Sequence, residues 1–305
     1  MKLTELRENS VETAQLTIYK DQEEYWVRPS VSYDHLWQVV RFGDALARGL
    51  VLRRDQVIRL GKVPFRVREV RSGSESPLEA VSDLEACEEG DFEGVAEGNV
   101  CKMCSEGEKD RGNPLLLHCK CQESAQFIHF LCLKDWISSK VTIRRKRSFT
   151  SYQWKTLECD FCKAELPFSL TYHATSLNLY DFPPPEPPYI VLEAWEDNKR
   201  APNAIFILSM AEGSSIRLGR GRDSDIRVND ISVSRCHALI RLSEGEFLLE
   251  DNSSKFGSLV QVTAPVPIPS MGKVALQAGR SLVLLCQGPS ELRQCGVRDL
   301  IATRK

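Results

Sequence analysis

Four short-spaced pairs of potential ligands stand out: Cys101-x2-Cys104, Cys119-x-Cys121, His129-x2-Cys132 and Cys159-x2-Cys162. Thiolate and imidazole are donors that suit zinc, and two of them on one tight turn can both reach a single ion, each sulfur at about 2.3 Å. Four pairs suffice for two tetrahedral sites. A site closed by four protein ligands leaves no place for water, so such ions would be structural. His118, next to Cys119, is a further candidate by residue type.

Something must hold these turns in place. The chain has 305 residues, enough for two or three domains that each bury a core. Its formal charge of -2 argues against a global field for nucleic acid or for a membrane surface. The sequence has no apolar run of about eighteen residues and no apolar stretch near its start, so the expectation is a soluble chain of the cytoplasm. Nuclear or cytoskeletal association is compatible with that. In such a compartment eleven cysteines point to metal ligands and free thiols more than to disulfides.

Composition divides the chain. Residues 1–71 carry alternating runs (AQLTIY, EYWVRP, LWQVVRFGD, DQVIRLG, VPFRVREV) and read as a β-rich module of open role. Residues 72–100 hold Glu75, Glu79, Asp83, Glu85, Glu88, Glu89, Asp91, Glu93 and Glu97 but no Lys or Arg beyond position 72, and read as a solvated acidic linker. Its PLEAVSDLEAC run is compatible with a short helix. The cysteine pairs fall in residues 101–168. The basic run Arg144 to Arg147, between the third and fourth pairs, reads as a solvated loop. Residues 181–188 are proline-rich and should form an extended, semi-rigid spacer. From 189 to 289 short strands such as YIVLEAW, AIFILSM, SIRLG, HALIRL, EFLLED and SLVLLCQ are separated by turn residues, the pattern of a β-sandwich. Residues 290–305 form a tail.

The ligand pattern resembles the RING-CH, or variant RING, family of ubiquitin ligases. It shares the histidine as fifth ligand, the C-x-C second pair, and the CLKDW run after the sixth ligand. A PHD finger has the same ligand order but usually places Trp two residues before its last cysteine pair, whereas Trp154 lies five before Cys159. The resemblance implies cross-braced ligation of two zinc ions. Cys101, Cys104, His129 and Cys132 would hold one, and Cys119, Cys121, Cys159 and Cys162 the other. His118 is then a bystander. It also implies docking of a ubiquitin-conjugating enzyme on Met103 and Trp136, with Pro114 to Leu117 or Ile137 extending the patch. Lys163, just beyond the last ligand, would reach ubiquitin, though as a point charge lacking the fork of an arginine.

The run IRLGRGRDSDIRVNDISVSRCHALI followed by LLEDNSSKFGSLV resembles a forkhead-associated (FHA) domain. Gly219 and Arg220 match its GR, Ser234 to His237 its S-R-x-H, and Ser254 to Ser258 its S-x-N-G-T. The family binds phosphothreonine peptides, which implies phosphate contacts from Arg220 and Ser234, bordered by Arg235 and Lys255. Gly219 and Gly257 would shape turns, and His237 would be a buried buttress. Phe256 stands where the family has a peptide-binding Asn.

The expected fold is therefore multidomain and mainly β: a β-rich N-terminal segment, a small cross-braced two-zinc domain, then an FHA β-sandwich. The expected function is a RING-type ubiquitin ligase that recruits a conjugating enzyme and a phosphorylated protein target, with no nucleic acid or membrane partner. The alternative is a non-catalytic scaffold that docks partners through both modules.

Overall fold

A computed structural model describes residues 16–30, 36–40, 49–72, 98–107, 112–117, 127–155, 157–166, 168–172, 175–194, 203–270, 273–279 and 281–287. The acidic segment from 73 to 97, His118, Cys119, Cys121 and the C-terminal tail lie outside the described residues, and so does the helix expected at PLEAVSDLEAC. The chain divides into two compact units, one built from residues 1–70 with 211–305 and one from residues 71–210.

The first six strands are β1 (Leu16–Asp21), β2 (Glu24–Pro29), β3 (Leu36–Val39), β4 (Leu50–Val51), β5 (Val57–Leu60) and β6 (Val63–Arg71). β1 and β2 form a hairpin, as do β5 and β6, the latter closing on a tight turn at Gly61 and Lys62. Leu36, Leu52, Ile58 and Leu60 are almost wholly buried, and in β5 Ile58 and Leu60 show the period-two burial of a half-covered strand.

The unit spanning 71–210 holds β7 (Leu115–Leu117), β8 (Phe127–His129), helix α1 (Phe130–Lys140), β9 (Thr142–Arg145), β10 (Phe149–Gln153), β11 (Ser169–Tyr172), β12 (Thr175–Asn178), β13 (Tyr189–Ala194) and β14 (Ala204–Ser209). β7 pairs antiparallel with β8, placing Leu115 opposite His129. The chain passes straight from β8 into α1. The first helical N–H groups, which have no partner within a helix, are met from outside: Phe130 N–H donates to Pro114 O at 2.9 Å and Leu131 N–H to Asn113 Oδ1 at 2.9 Å. Lys140 in the last turn suits the negative end of the helix.

The basic run lies on the hairpin of β9 and β10, where Arg144 and Arg145 occupy a wholly exposed strand. β10 pairs next with β14, and β14 with β13. YIVLEA and AIFILS, expected among the sandwich strands, thus hydrogen-bond in this unit to the segment between the third and fourth ligand pairs. The proline-rich segment forms neither helix nor strand, bends over residues 186–188, and is anchored by its first apolar residue. Phe182 is 1% exposed and meets Tyr152, Phe168 and Tyr180 with ring centroids 5.1, 5.4 and 4.8 Å apart. Trp154 packs edge-on against Phe168 at 4.6 Å. Lys134 Nζ, on α1, holds Asp181 Oδ2 at 2.8 Å. The segment is a strap laid over its own unit.

The remaining strands are β15 (Ser215–Gly219), β16 (Ile226–Arg227), β17 (Ala238–Ser243), β18 (Glu246–Asp251), β19 (Ser258–Gln261), β20 (Val266–Ile268), β21 (Val274–Ala278) and β22 (Ser281–Leu285). They take the N-terminal strands as direct neighbours. β4 pairs with β18, β5 and β3 flank β19, β21 lies against β3, and β20 adds to β2. One sheet of this unit runs β16-β15-β17-β18-β4. The segment whose role sequence leaves open is therefore woven, strand by strand, into the C-terminal sheets.

Removing the Phe182 ring should empty the centre of the aromatic cluster. Phe182→Ala is expected to cost the 71–210 unit about 3–5 kcal/mol, against under about 1 kcal/mol for Pro183→Ala beside it. Hydrogen exchange of the β10 and β13 amides in the zinc-loaded chain checks this; equal protection in the two variants would contradict the anchoring role.

Candidate metal centre and phosphate-binding loops

Cys101, Cys104, His129 and Cys132 bring their donor atoms within 4.8 Å of one another. The first two lie on the turn 101–105, closed by Ser105 N–H donating to Cys101 O at 2.8 Å. The other two sit where β8 becomes α1, so one backbone junction aims both inward. His129 is fully buried. Its Nδ1 faces Cys104 Sγ at 3.3 Å, while Nε2 lies 2.9 Å from Gly107 O. That carbonyl can only accept, so Nε2 carries the proton and Nδ1 keeps a lone pair for a cation.

The electrostatics of the donor set ask for positive charge. Burial pushes the Cys101 thiol up, but N–H donation from His129, Cys104 and Met103 outweighs it and brings the group down to about 7. Burial, then repulsion from Cys101, pushes Cys132 up to about 12. Three thiols this close cannot all ionise without a cation among them, and a soft divalent ion with one imidazole and three thiolates is what zinc accepts. The residues fit zinc.

Of the second set, Cys159 is buried and Cys162 exposed, on a turn closed by Lys163 N–H donating to Cys159 O at 3.0 Å. Their expected companions Cys119 and Cys121 lie outside the described residues.

A groove of about 160 Å³ opens beside the ligands, lined by Met103, Ile128, Leu133, Trp136, Phe161 and Leu166 among others. Met103 is 51% exposed and Phe161 71%. Lys102 Nζ stands 5.6 Å from the Phe161 ring centre and Lys140 Nζ 5.0 Å from that of Trp136. Leu115, Leu116 and Ile137, offered by sequence as an extension of this patch, are core residues that do not line the groove. Phe161 is the apolar residue that sequence reasoning missed. Its signal was there, as an aromatic between Cys159 and Cys162, where a three-residue step cannot bury it. Lys163 takes a left-handed φ of 59° and places Nζ 3.6 Å from Glu158 Oε1.

In the other unit, three loops meet around Ser234. Its carbonyl accepts from Arg220 N–H at 2.9 Å, and its hydroxyl accepts from Lys255 N–H at 3.0 Å. His237, fully buried, accepts from Ser234 N–H on Nδ1 at 3.0 Å and lies 3.2 Å from Gly257 O through Nε2. Arg220, Arg235 and Lys255 are exposed around this centre. The Arg235 carbonyl accepts from Gly221 N–H and from the Ser224 hydroxyl. A Cβ at Gly219 would overlap that carbonyl oxygen and stand 2.8 Å from its carbon, so this approach needs glycine. Behind Lys255, Asp251 accepts from the hydroxyls of Ser254 and Ser258, and Ser254 Oγ accepts from Gly257 N–H at 2.9 Å. Phe256 is 56% exposed beneath the Lys255 ammonium.

A RING-variant domain model matches residues 101–162, and an FHA domain model matches residues 216–284. The chain carries a RING-variant domain and an FHA domain. Among similar proteins, E3 ubiquitin-protein ligase MARCHF7 of Rattus norvegicus is 28% identical over 105 residues, 34% of this chain and 14% of that protein. ERAD-associated E3 ubiquitin-protein ligase DOA10 of Saccharomyces cerevisiae is 32% identical over 92 residues, 28% of this chain and 7% of that protein. Oxoglutarate dehydrogenase inhibitor of Corynebacterium glutamicum is 34% identical over 95 residues, 30% of this chain and 64% of that protein. The chain thus spans a small part of the ligases it matches. No solved structure matches it. Among the described residues no helix is long and apolar enough to cross a membrane.

His237 gives the FHA domain a pH signature. Burial holds its imidazole below the usual 6.5. A depressed histidine contributes stability that is whole above the unfolded value and drains away as pH falls toward the folded one. The advantage of wild type over His237→Gln in urea should therefore be constant near pH 7.5 and shrink steadily below about 6.5. An advantage that holds to pH 5 would mean the ring is not kept neutral.

Proposed function

We propose that this chain acts as a RING-type ubiquitin ligase, docking a charged ubiquitin-conjugating enzyme on its RING-variant domain and a threonine-phosphorylated protein on its FHA domain. The observation that carries the first half is the apolar groove in which the exposed Met103 and Phe161 gather with the half-buried Trp136. Large exposed apolar residues gathered at one site mark a protein interface. Each is tied to a ligand: Met103 lies between Cys101 and Cys104, Phe161 between Cys159 and Cys162, and Trp136 one helical turn past Cys132.

Zinc, when bound, would lock these turns. We assign one ion to Cys101, Cys104, His129 and Cys132, and a second to Cys119, Cys121, Cys159 and Cys162. On this reading the groove supplies no nucleophile, since Cys159, the thiol that lines it, is taken up as a zinc ligand. Its part is to hold the conjugating enzyme while a target amine attacks the ubiquitin thioester; the C–N bond forms, the C–S bond breaks and the thiol leaves with a proton. Lys163 supplies positive charge beside the docked pair, tempered by Glu158.

For the FHA domain, Arg220, Arg235 and Lys255 surround Ser234, and a phosphate of charge near -2 accepts charge-assisted hydrogen bonds from such a set. We place Arg220 and Ser234 on the phosphate, with Arg235 and Lys255 at its border. The Phe256 departure favours a second reading, a scaffold whose FHA face docks proteins without phosphate.

Two experiments decide. With a panel of conjugating enzymes, wild type should transfer ubiquitin, while Trp136→Ala and Phe161→Ala should lose most activity and still carry two zinc ions per chain by elemental analysis. Wild type inactive with every enzyme tried would hand the case to the scaffold. In binding to phosphothreonine peptide libraries, Arg220→Ala should cost about 30- to 150-fold, equivalent to roughly 2–3 kcal/mol, with Lys255→Ala costing less because salt screens an exposed cation. A wild type indifferent to phosphate would remove the phosphopeptide reading.

A further inference from the structure

We propose that the hairpin tip Gly61–Lys62 is a positioning element of the phosphopeptide site, supplied from the opposite end of the chain; the proposal rests on the phosphopeptide reading above. The loop between β16 and β17 carries Ser234. Two residues earlier, Ser232 Oγ accepts from Lys62 N–H at 2.9 Å, across 170 residues of sequence. The same hydroxyl donates to Asp230 Oδ1, which also accepts from Ser232 N–H at 2.7 Å. Ser232 is thus held on both sides, by its own loop and by the N-terminal hairpin.

The approach is as close as backbone allows. Gly61 has a φ of 62°, and a Cβ there would overlap the Ser232 hydroxyl and stand 2.7 Å from Ser232 O and 2.8 Å from its carbonyl carbon. Any side chain at 61 must push this loop away. A displaced Ser232 carries Ser234 with it, and Ser234 is the joint to which both Arg220 and Lys255 are tied. The hairpin therefore acts on the phosphate contacts through a short, hydrogen-bonded path.

Charge adds a second contribution. Asp230 places a carboxylate on the loop that must approach a phosphate. Hydrogen bonds from Ser232 first, and then the nearby Lys62 charge, hold that carboxyl below its usual range. Lys62 offsets the negative charge that would otherwise face the ligand, and no family-matched residue of the segment 216–284 is needed for it.

The control is another turn glycine of the same unit. Gly245 has a φ of 76°, but a Cβ there would meet nothing within 4 Å. Both alanine variants carry the same backbone strain, and only one invades the loop. In the full chain, with a degenerate phosphothreonine peptide library as probe and its unphosphorylated twin as reference, Gly61→Ala should weaken binding about tenfold or more. That is the loss expected from one hydrogen-bonded contact to a charged group. Gly245→Ala should stay within about twofold, since it disturbs no contact. Should Gly61→Ala fail to fold, Ser232 reads the same path: Ser232→Ala should lose affinity and Ser232→Thr, which keeps the hydroxyl, should retain it. Equal affinity for Gly61→Ala and wild type, or for the two Ser232 variants, would overturn the proposal. No phosphate preference in the wild type itself would instead overturn the phosphopeptide reading beneath it.

Discussion

Three thiols and an imidazole held within 4.8 Å of one another need a cation, and most of the zinc-binding unit is arranged around that demand. Without positive charge the site is divided against itself, with Cys101 eased toward the thiolate by three N–H donors while Cys132 is driven far the other way. A divalent ion resolves this at once, and the free energy it releases goes into folding, on the order of 10 kcal/mol for a structural zinc. The turn at 101–105 is closed by Ser105 N–H on Cys101 O, and the stretch 127–132 is held by the pairing of β8 with β7 and by the start of α1. Their geometry follows from the donors they must present.

The apolar groove of Met103, Trp136 and Phe161 inherits that dependence. Met103 and Phe161 are exposed because three-residue steps between ligands have no interior in which to hide a side chain. Trp136 is fixed by sharing a helix face with Cys132. A surface built this way needs no large core beneath it. The aromatic cluster of Tyr152, Trp154, Phe168, Tyr180 and Phe182 continues the same buried core to which Cys101 belongs. There ordinary apolar burial takes over, and the proline strap is pinned by its one phenylalanine.

The ligand pairs and the FHA motifs were legible because their chemistry fixes spacing. Cys101, Cys104, His129 and Cys132 announce themselves by type and interval, and Ser234 with His237 by their order. Phe161 was legible in principle and overlooked, since attention to ligands hides the residues between them. Other features depend on long-range pairing, which no local pattern records. Nothing in VIRLGKVPFRVREV says that its first strand joins β19, because an alternating strand pattern specifies a face and leaves the neighbour open. For the same reason YIVLEA looked like a sandwich strand and is hydrogen-bonded to AIFILS beside β10. In the proline-rich segment the prolines say only that no helix or ladder forms, and the buried Phe182 says what the segment lies on.

Splitting one sandwich-forming unit between the two ends of a chain looks costly, and magnitudes show why it is tolerated. Joining strands across roughly 140 intervening residues in place of a four-residue turn costs about 3 kcal/mol if the insert is treated as a flexible loop, since closure entropy grows only with the logarithm of length. Leu36, Leu52, Ile58 and Leu60 are each at most 2% exposed, and burying four such side chains contributes on the order of 6–12 kcal/mol. Burial wins by a margin that leaves the ladder hydrogen bonds uncounted. The penalty falls on folding rate, which slows as contacts become less local. Once formed, the hairpin of β5 and β6 gains a position that a contiguous segment 216–284 could not fill, with its tip against Ser232 and β5 against β19. A binding loop needs rigidity more than it needs sequence proximity, and that rigidity comes from whichever strand can reach it.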